Sequence, residues 1–232
     1  MRKWILNNGT KIHRILGGRS NVYLIQCHTR NVLVDTGKNG SGKKLLNILH
    51  KRGIQRIDWL ILTHTHFDHC QNAALLQKKF NCQIRVSGKA RTLIQNGYAP
   101  LPAGTNKLST LIRSIGIHIG SRRFSFESFA VEEYIDDPKT IESGTIRVEL
   151  IPTPGHSADS MCIVVNNEIA LVGDTLFGIL PNSVFPPFAD DPLLLKQQWR
   201  KLLDTGCHTF LPGHGGPITK TLLERCLQKQ NA

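Results

Sequence analysis

The chain has 232 residues, 40% of them hydrophobic and 20% charged, which is the balance of a globular protein able to bury a substantial core. No apolar run reaches the roughly 18–20 residues of a membrane span, and six dispersed cysteines without a Cys-x-x-Cys pair read as reduced thiols, not a disulfide framework. A net charge of +12 reads either as a solvated basic surface or as a field that attracts an anionic substrate or nucleic acid.

The first residues hold only Trp4-Ile5-Leu6 as an apolar run, too short for a secretory signal, so a cytoplasmic location is expected. Short strands are predicted at 4–6, 12–16, 22–26 and 32–34, with turns at Gly17-Gly18 and Thr29-Arg30-Asn31. Asp35-Thr36-Gly37 closes the fourth strand, and a helix of about ten residues ends at Gly53. A strand at 58–62 leads to a helix at about 68–79 and a strand at 82–86. Residues 89–128 interrupt this rhythm: Pro100, Pro102 and Gly104 separate two short helices, at about 89–96 and 106–116, and the stretch reads as an insertion with lid potential. Strands resume at 145–151, 161–165 and 169–172. Asp191-Pro192 opens a helix to about Asp204, and a strand at 207–211 and a helix at about 217–229 close the chain. Alternating strands and helices predict a layered α/β architecture in a single domain, 1–232.

The charge is unevenly spread. Residues 1–60 carry twelve Lys or Arg against Asp35 and Asp58, and residues 85–126 carry seven and no acid, while 127–142 turn acidic. A field of this kind attracts anions.

Chemistry concentrates in Thr63-His64-Thr65-His66-Phe67-Asp68-His69, with three histidines and one aspartate in six residues after an apolar strand. Imidazoles and a carboxylate crowded at a strand end call for a shared divalent cation. Thr65 and Phe67 read as spacers that turn alternate side chains inward. Thr153-Pro154-Gly155-His156, Gly173-Asp174-Thr175 and Pro212-Gly213-His214-Gly215 repeat the pattern of a polar residue beside glycine after an apolar strand. The four loops offer five histidines and two aspartates, enough for two metals. Cys70 reads as a buried thiol, and His13, His28, His50, His118 and His208 as surface or core.

His64-x-His66-x-Asp68-His69 followed by His156, Asp174 and His214 resembles the metallo-β-lactamase fold superfamily over essentially the whole chain. The resemblance implies a four-layer αββα sandwich of two mixed β-sheets flanked by helices. It implies that His64, His66 and His156 hold one ion, that Asp68, His69 and His214 hold a second, and that Asp174 bridges them. Two Zn2+ are the implied cofactors, with iron or manganese as alternatives. A hydroxide between two such ions attacks a carbonyl or phosphorus centre, and Asp68 can orient it or carry a proton to the leaving group.

Within the superfamily, His66 stands where flavodiiron proteins carry Glu, and Asp174 where the antibiotic-hydrolysing enzymes generally lack a bridging carboxylate. The chain is similar instead to the branch of glyoxalase II, acyl-homoserine lactonases and ribonuclease Z. Only eighteen residues follow His214, too few for the glutathione-binding domain of glyoxalase II. Phe177 occupies the position of a catalytic tyrosine in the lactonases. The expectation is a dinuclear zinc hydrolase of a small ester, thioester or lactone, with an anionic substrate in view. The alternatives are a phosphodiesterase or nuclease of ribonuclease Z type, a mononuclear-iron persulfide dioxygenase, and a non-catalytic binding protein. A small-molecule partner is expected and no membrane. The oligomeric state stays open, a homodimer among the options.

Overall fold

Residues 2–28, 30–119 and 123–229 are described by the computed structural model. The apolar runs become strands of two mixed sheets. The first has seven strands in chain order: β1 (Lys3–Ile5), β2 (Lys11–Leu16), β3 (Val22–Cys27), β4 (Arg30–Val34), β5 (Trp59–Ile61), β6 (Gln83–Ser87) and β7 (Glu133–Ile135). β1 to β4 pair antiparallel, and β4 to β7 pair parallel. The second comprises β8 (Lys139–Ser143), β9 (Ile146–Pro152), β10 (Met161–Val165), β11 (Ile169–Gly173), β12 (Thr209–Pro212) and β13 (Ile218–Thr219), in the order β13-β12-β11-β10-β9-β8.

The period of two along a strand divides its side chains between faces. In β5 and just beyond, Trp59 and Ile61 pack between the sheets with Val32, Val34, Ile163 and Leu171, while Leu60 and Leu62 face outward onto Leu45, Leu49 and Leu76. Those leucines belong to α1 (Gly42–Lys51) and α3 (Ala73–Phe80). Val164 and Val172 of the second sheet meet Leu195, Trp199 and Leu223 from α6 (Pro192–Asp204) and α7 (Lys220–Gln228). Helices thus cover both outer faces of a sheet pair, which is the αββα sandwich expected. Strands buried on both faces lose the polar alternation of a half-exposed strand. Among the described residues, no helix is long and apolar enough to cross a membrane.

Three differences from the sequence reading have physical causes. The helix expected at 68–79 is two, α2 (Phe67–Cys70) and α3, because Asn72 turns its Nδ2 onto the carbonyls of Thr36, Gly37 and Lys38. Arg30 and Asn31 belong to β4 and not to a turn, and Thr29 lies outside the described residues. β7, β8 and β13 were not anticipated: the first two carry acidic residues of the 127–142 run, and β13 has two residues. The connection from β6 to β7 contains α4 (Arg91–Asn96) and α5 (Lys107–Ile119), and it places Ile94, Phe126 and Phe129 in the outer core.

Candidate metal centre

All four histidine- or aspartate-bearing loops leave the carboxyl ends of strands. β9, β11 and β12 run in one direction, because β10 is antiparallel to β9 and β11, and β11 is parallel to β12. Their ends therefore share one sheet edge. The β5 loop of the other sheet is joined to that edge where Met161 N donates to the Thr63 carbonyl at 2.8 Å. Gly173 and Gly213 permit the approach. A Cβ on Gly173, whose φ is +50°, would lie 2.7 Å from the Thr63 side chain, and one on Gly213 would lie 2.4 Å from Asp174 Oδ1.

This edge brings all seven side chains together. His64, His66 and His156 form one group, His64, His69 and Asp174 a second, and Asp68, His69 and His214 a third; within each, the donor atoms lie within 4.8 Å of one another. His156 Nε2 faces His66 Nδ1 at 3.0 Å, and Asp174 Oδ2 lies 3.2 Å from His214 Nε2 and 3.6 Å from His156 Nε2. Asp68 Oδ2 is 3.6 Å from His214 Nε2. His64 Nε2 and Asp174 Oδ1 are buried with no hydrogen-bond partner. Buried polar atoms are ordinarily satisfied, and a cation between these two would satisfy both. Five imidazole nitrogens and two carboxylates suit a borderline divalent ion such as zinc, and they can hold one or two ions. Cys70 belongs to none of these groups; its thiol donates to the Thr65 carbonyl, and burial pushes its pKa well up. His28, His50 and His208 are exposed and His13 is buried away from the cluster, while the His118 side chain lies outside the described ones.

Outer partners fix the rings. His156 Nδ1 donates to the Phe188 carbonyl at 2.8 Å, and His64 Nδ1 lies 3.1 Å from Thr63 Oγ1. His69 Nδ1 instead meets the Asp35 carboxylate at 2.8 Å. Asp35 also accepts from Thr63 N and Oγ1, and it holds a left-handed φ of +62°, a strained setting for a non-glycine residue. Thr65 is an anchor and not a spacer: its N and Oγ1 both donate to Asp159 Oδ2, at 2.8 and 2.7 Å, which pins the His64–His66 turn. Phe67 faces outward, with its ring 5.0 Å from Phe124 and under the Arg19 guanidinium. The sequence pattern does not mark Asp159 or Arg19 as parts of the site. Ser157-Ala158-Asp159-Ser160, polar and directly after His156, was the available signal.

Burial holds His64 well below the ordinary imidazole pKa, lowers His66, and pulls His156 to about 4. Burial acts the same way on His69 and His214, but nearby carboxylates together overcome it: Asp174, Asp35 and Asp68 raise His69 to about 10, and Asp174 with Asp68 raises His214. Asp174 sits well below the carboxylate range, because His214, His69 and His156 overcome the effect of burial.

The family model of the metallo-beta-lactamase superfamily matches residues 15–214, a span that includes all seven side chains. The chain belongs to that superfamily. A probable metallo-hydrolase of Methanocaldococcus jannaschii is 30% identical over 161 residues, 69% of each chain. An atrochrysone carboxyl ACP thioesterase of Aspergillus fumigatus is 25% identical over 220 residues, 90% of this chain and 57% of that relative's length. Among solved structures, an archaeal superfamily protein from Sulfolobus tokodaii matches with a TM-score of 0.69 at 18% identity, covering 95% of this chain and 86% of that one. The BLEG-1 B3 metallo-beta-lactamase matches with a TM-score of 0.71 at 20% identity, covering 94% and 96%. These two likenesses establish the fold. Family membership, together with a buried His/Asp cluster able to bind metal, makes the chain a metal-dependent hydrolase.

Proposed function

We infer that the protein is a dinuclear zinc hydrolase of a small ester, thioester or lactone bearing an anionic group. The observation that carries this reading is the overlap of the three donor groups. The middle group, His64, His69 and Asp174, shares His64 with the three-histidine group and His69 with the Asp/His/His group, an overlap that supports two adjacent ions in one pocket. His64, His66 and His156 would hold one ion, Asp68, His69 and His214 the other, and Asp174 both. Bound there, two divalent ions supply a water activated at neutral pH and Lewis-acid polarisation of the scissile group.

The chain's own residues do the rest. Arg19 stands at the mouth, 59% exposed, with Nε 3.8 Å from Asp68 Oδ2, where it can meet an anionic substituent. Asp68, the carboxylate beside Arg19, passes a proton to the departing oxygen or sulfur. Phe177 lies 4.8 Å from the His214 ring and contributes an apolar wall with no proton to give. The thioester option draws support from the named activity of the Aspergillus relative.

The test is turnover of aryl esters, thioesters and lactones against bis(p-nitrophenyl) phosphate and RNA by the zinc-loaded protein. Preference for the carbonyl substrates is expected. Preference for phosphodiesters would replace this reading with a nuclease, and one iron per chain with persulfide turnover would replace it with an oxygenase.

A further inference from the structure

Helix α5 exposes an apolar stripe. Leu108, Leu111, Ile112 and Ile115 are 67%, 57%, 50% and 52% exposed, at the i, i+3, i+4, i+7 spacing that puts them on one face. Such a face ordinarily packs against the core of its own protein. Here the packing side is a different one. Ser109 is buried, Arg113 Nε donates to the Leu101 carbonyl at 3.2 Å, and Gly116 lies against Leu101 and Phe124.

Both ends of this segment are tied to the metal centre. Ahead of the helix, Thr105 N donates to the Pro187 carbonyl and Gly104 bridges Phe188, the residue whose carbonyl receives the His156 Nδ1 proton. Past the helix, Phe124 packs edge-on against Phe67, which sits between His66 and Asp68. The segment that carries the stripe is therefore anchored beside the cluster at both ends, on the His156 side and on the Phe67 side. From the Phe188 anchor the chain runs back to Val184, whose carbonyl accepts from Phe177 N, and just past Phe177 lie Ile179 and Leu180, 59% and 60% exposed. Lys107 and Arg113 lie on α5 itself and Arg123 follows it, with no acid in residues 85–126, so like charge opposes pairing with a second copy and favours an anionic amphipath.

We propose that the α5 stripe is the acyl-binding wall of this site and that the substrate is a long-chain acyl thioester with an anionic carrier group. This rests on the hydrolase reading above and narrows it. The apolar tail lies along Leu111 and Ile115, the carrier's negative charge faces the basic surface, and the thioester reaches the cluster between the two anchors. Hydrolysis breaks the carbon–sulfur bond, adds the elements of water, and releases a carboxylate and a thiol.

The experiment compares the wild-type chain with the L111S/I115S double variant on acetyl, octanoyl and dodecanoyl thioesters of coenzyme A. Both side chains are exposed, so the fold should survive the change. The dodecanoyl-to-acetyl ratio of kcat/KM should fall about tenfold in the variant and recover in L111M/I115L. Binding of the hydrolysis-resistant dodecyl thioether of coenzyme A, read by calorimetry, should weaken about tenfold in parallel. An unchanged ratio with unchanged thioether binding would overturn the proposal. So would an intact ratio accompanied by loss of a dimer in sedimentation, or by loss of binding to phosphatidylglycerol vesicles. Failure to hydrolyse any ester or thioester, with thioether binding still dependent on the stripe, would count against the hydrolase reading and for the acyl wall.

Discussion

The two halves of the cluster, His64, His66 and His156 on one side and Asp68, His69 and His214 on the other, are conditioned in opposite ways. His64 and His156 are oriented by neutral groups, the Thr63 hydroxyl and the Phe188 carbonyl, and burial leaves these rings and His66 neutral at physiological pH. Those three imidazoles are ready to ligate. His69 is oriented by the Asp35 carboxylate and flanked by Asp174, which retains a proton on the ring in the metal-free chain. An ion entering that half must displace this proton, so its affinity depends on pH more steeply. A charged outer partner also makes a stronger ligand once the proton has gone. The difference in charge state comes from Asp174 within the cluster together with the outer partner Asp35.

The largest effect should come from Asp174→Asn, since Asp174 is the carboxylate that reaches both halves. Bound zinc should drop from about two ions to one or fewer, and ester turnover should fall at least ~100-fold, beyond what losing an outer partner alone costs. Metal analysis with turnover on one preparation checks this, and retained stoichiometry would show that the halves are independent.

Asp35→Asn should act on one half only. It keeps a hydrogen-bond acceptor for His69 Nδ1 and removes the charge, so affinity for the second ion should weaken about 10–100-fold while the first changes little. Competition with a chromophoric chelator resolves the two affinities, and equal weakening of both would contradict the asymmetry.

The legibility of these features in the sequence differs in the same way. The seven cluster residues stand out because one loop crowds three histidines and an aspartate into six residues and three others set histidine or aspartate next to glycine after an apolar run, and both signals are local. Asp35 could be seen as a strand end, but its reach to His69 and Thr63 exists only once β4 and β5 pair in parallel. Asp159 becomes an anchor of Thr65 only when the second sheet docks on the first. β8 escaped notice because it is the outermost strand of its sheet: its residues are exposed or half-buried, so Ile141 is its one apolar residue and no alternation appears. α6 was legible from end to end, because the Asp191 carboxylate caps Leu193 and Leu194 N–H and Pro192 takes the first turn.

A smaller effect is expected at the mouth, on the Asp68 side. Arg19→Gln should raise KM about fivefold for a substrate bearing a carboxylate or phosphate and leave a neutral analogue unaffected, as suits an exposed charge. Increasing salt should shrink the wild-type advantage in the same assay. Equal KM changes for both substrates would mean that Arg19 shapes the pocket and does not read charge.

The smallest effect lies in the stability of the zinc-stripped protein. His69 and His214 have raised folded values, so their contribution is complete below the ordinary imidazole value of 6.5 and is lost as pH rises, through about 10 for His69. His64, His66 and His156 have depressed values, so their contribution is complete above 6.5 and is lost as pH falls, through about 4 for His156. As far as these five rings decide it, thermal midpoints should peak near pH 6.5, and Asp35→Asn should flatten the alkaline limb alone. An alkaline limb unchanged in that variant would separate His69 from its assigned partner.

The central claim, two unlike halves in one pocket, is tested most directly by titrating the zinc-stripped protein with zinc at pH 7.5 in two buffers of different ionisation enthalpy. Two equivalents per chain are predicted, the first binding with little proton release and the second releasing the proton held on His69. A single equivalent, or two that release protons equally, would contradict it.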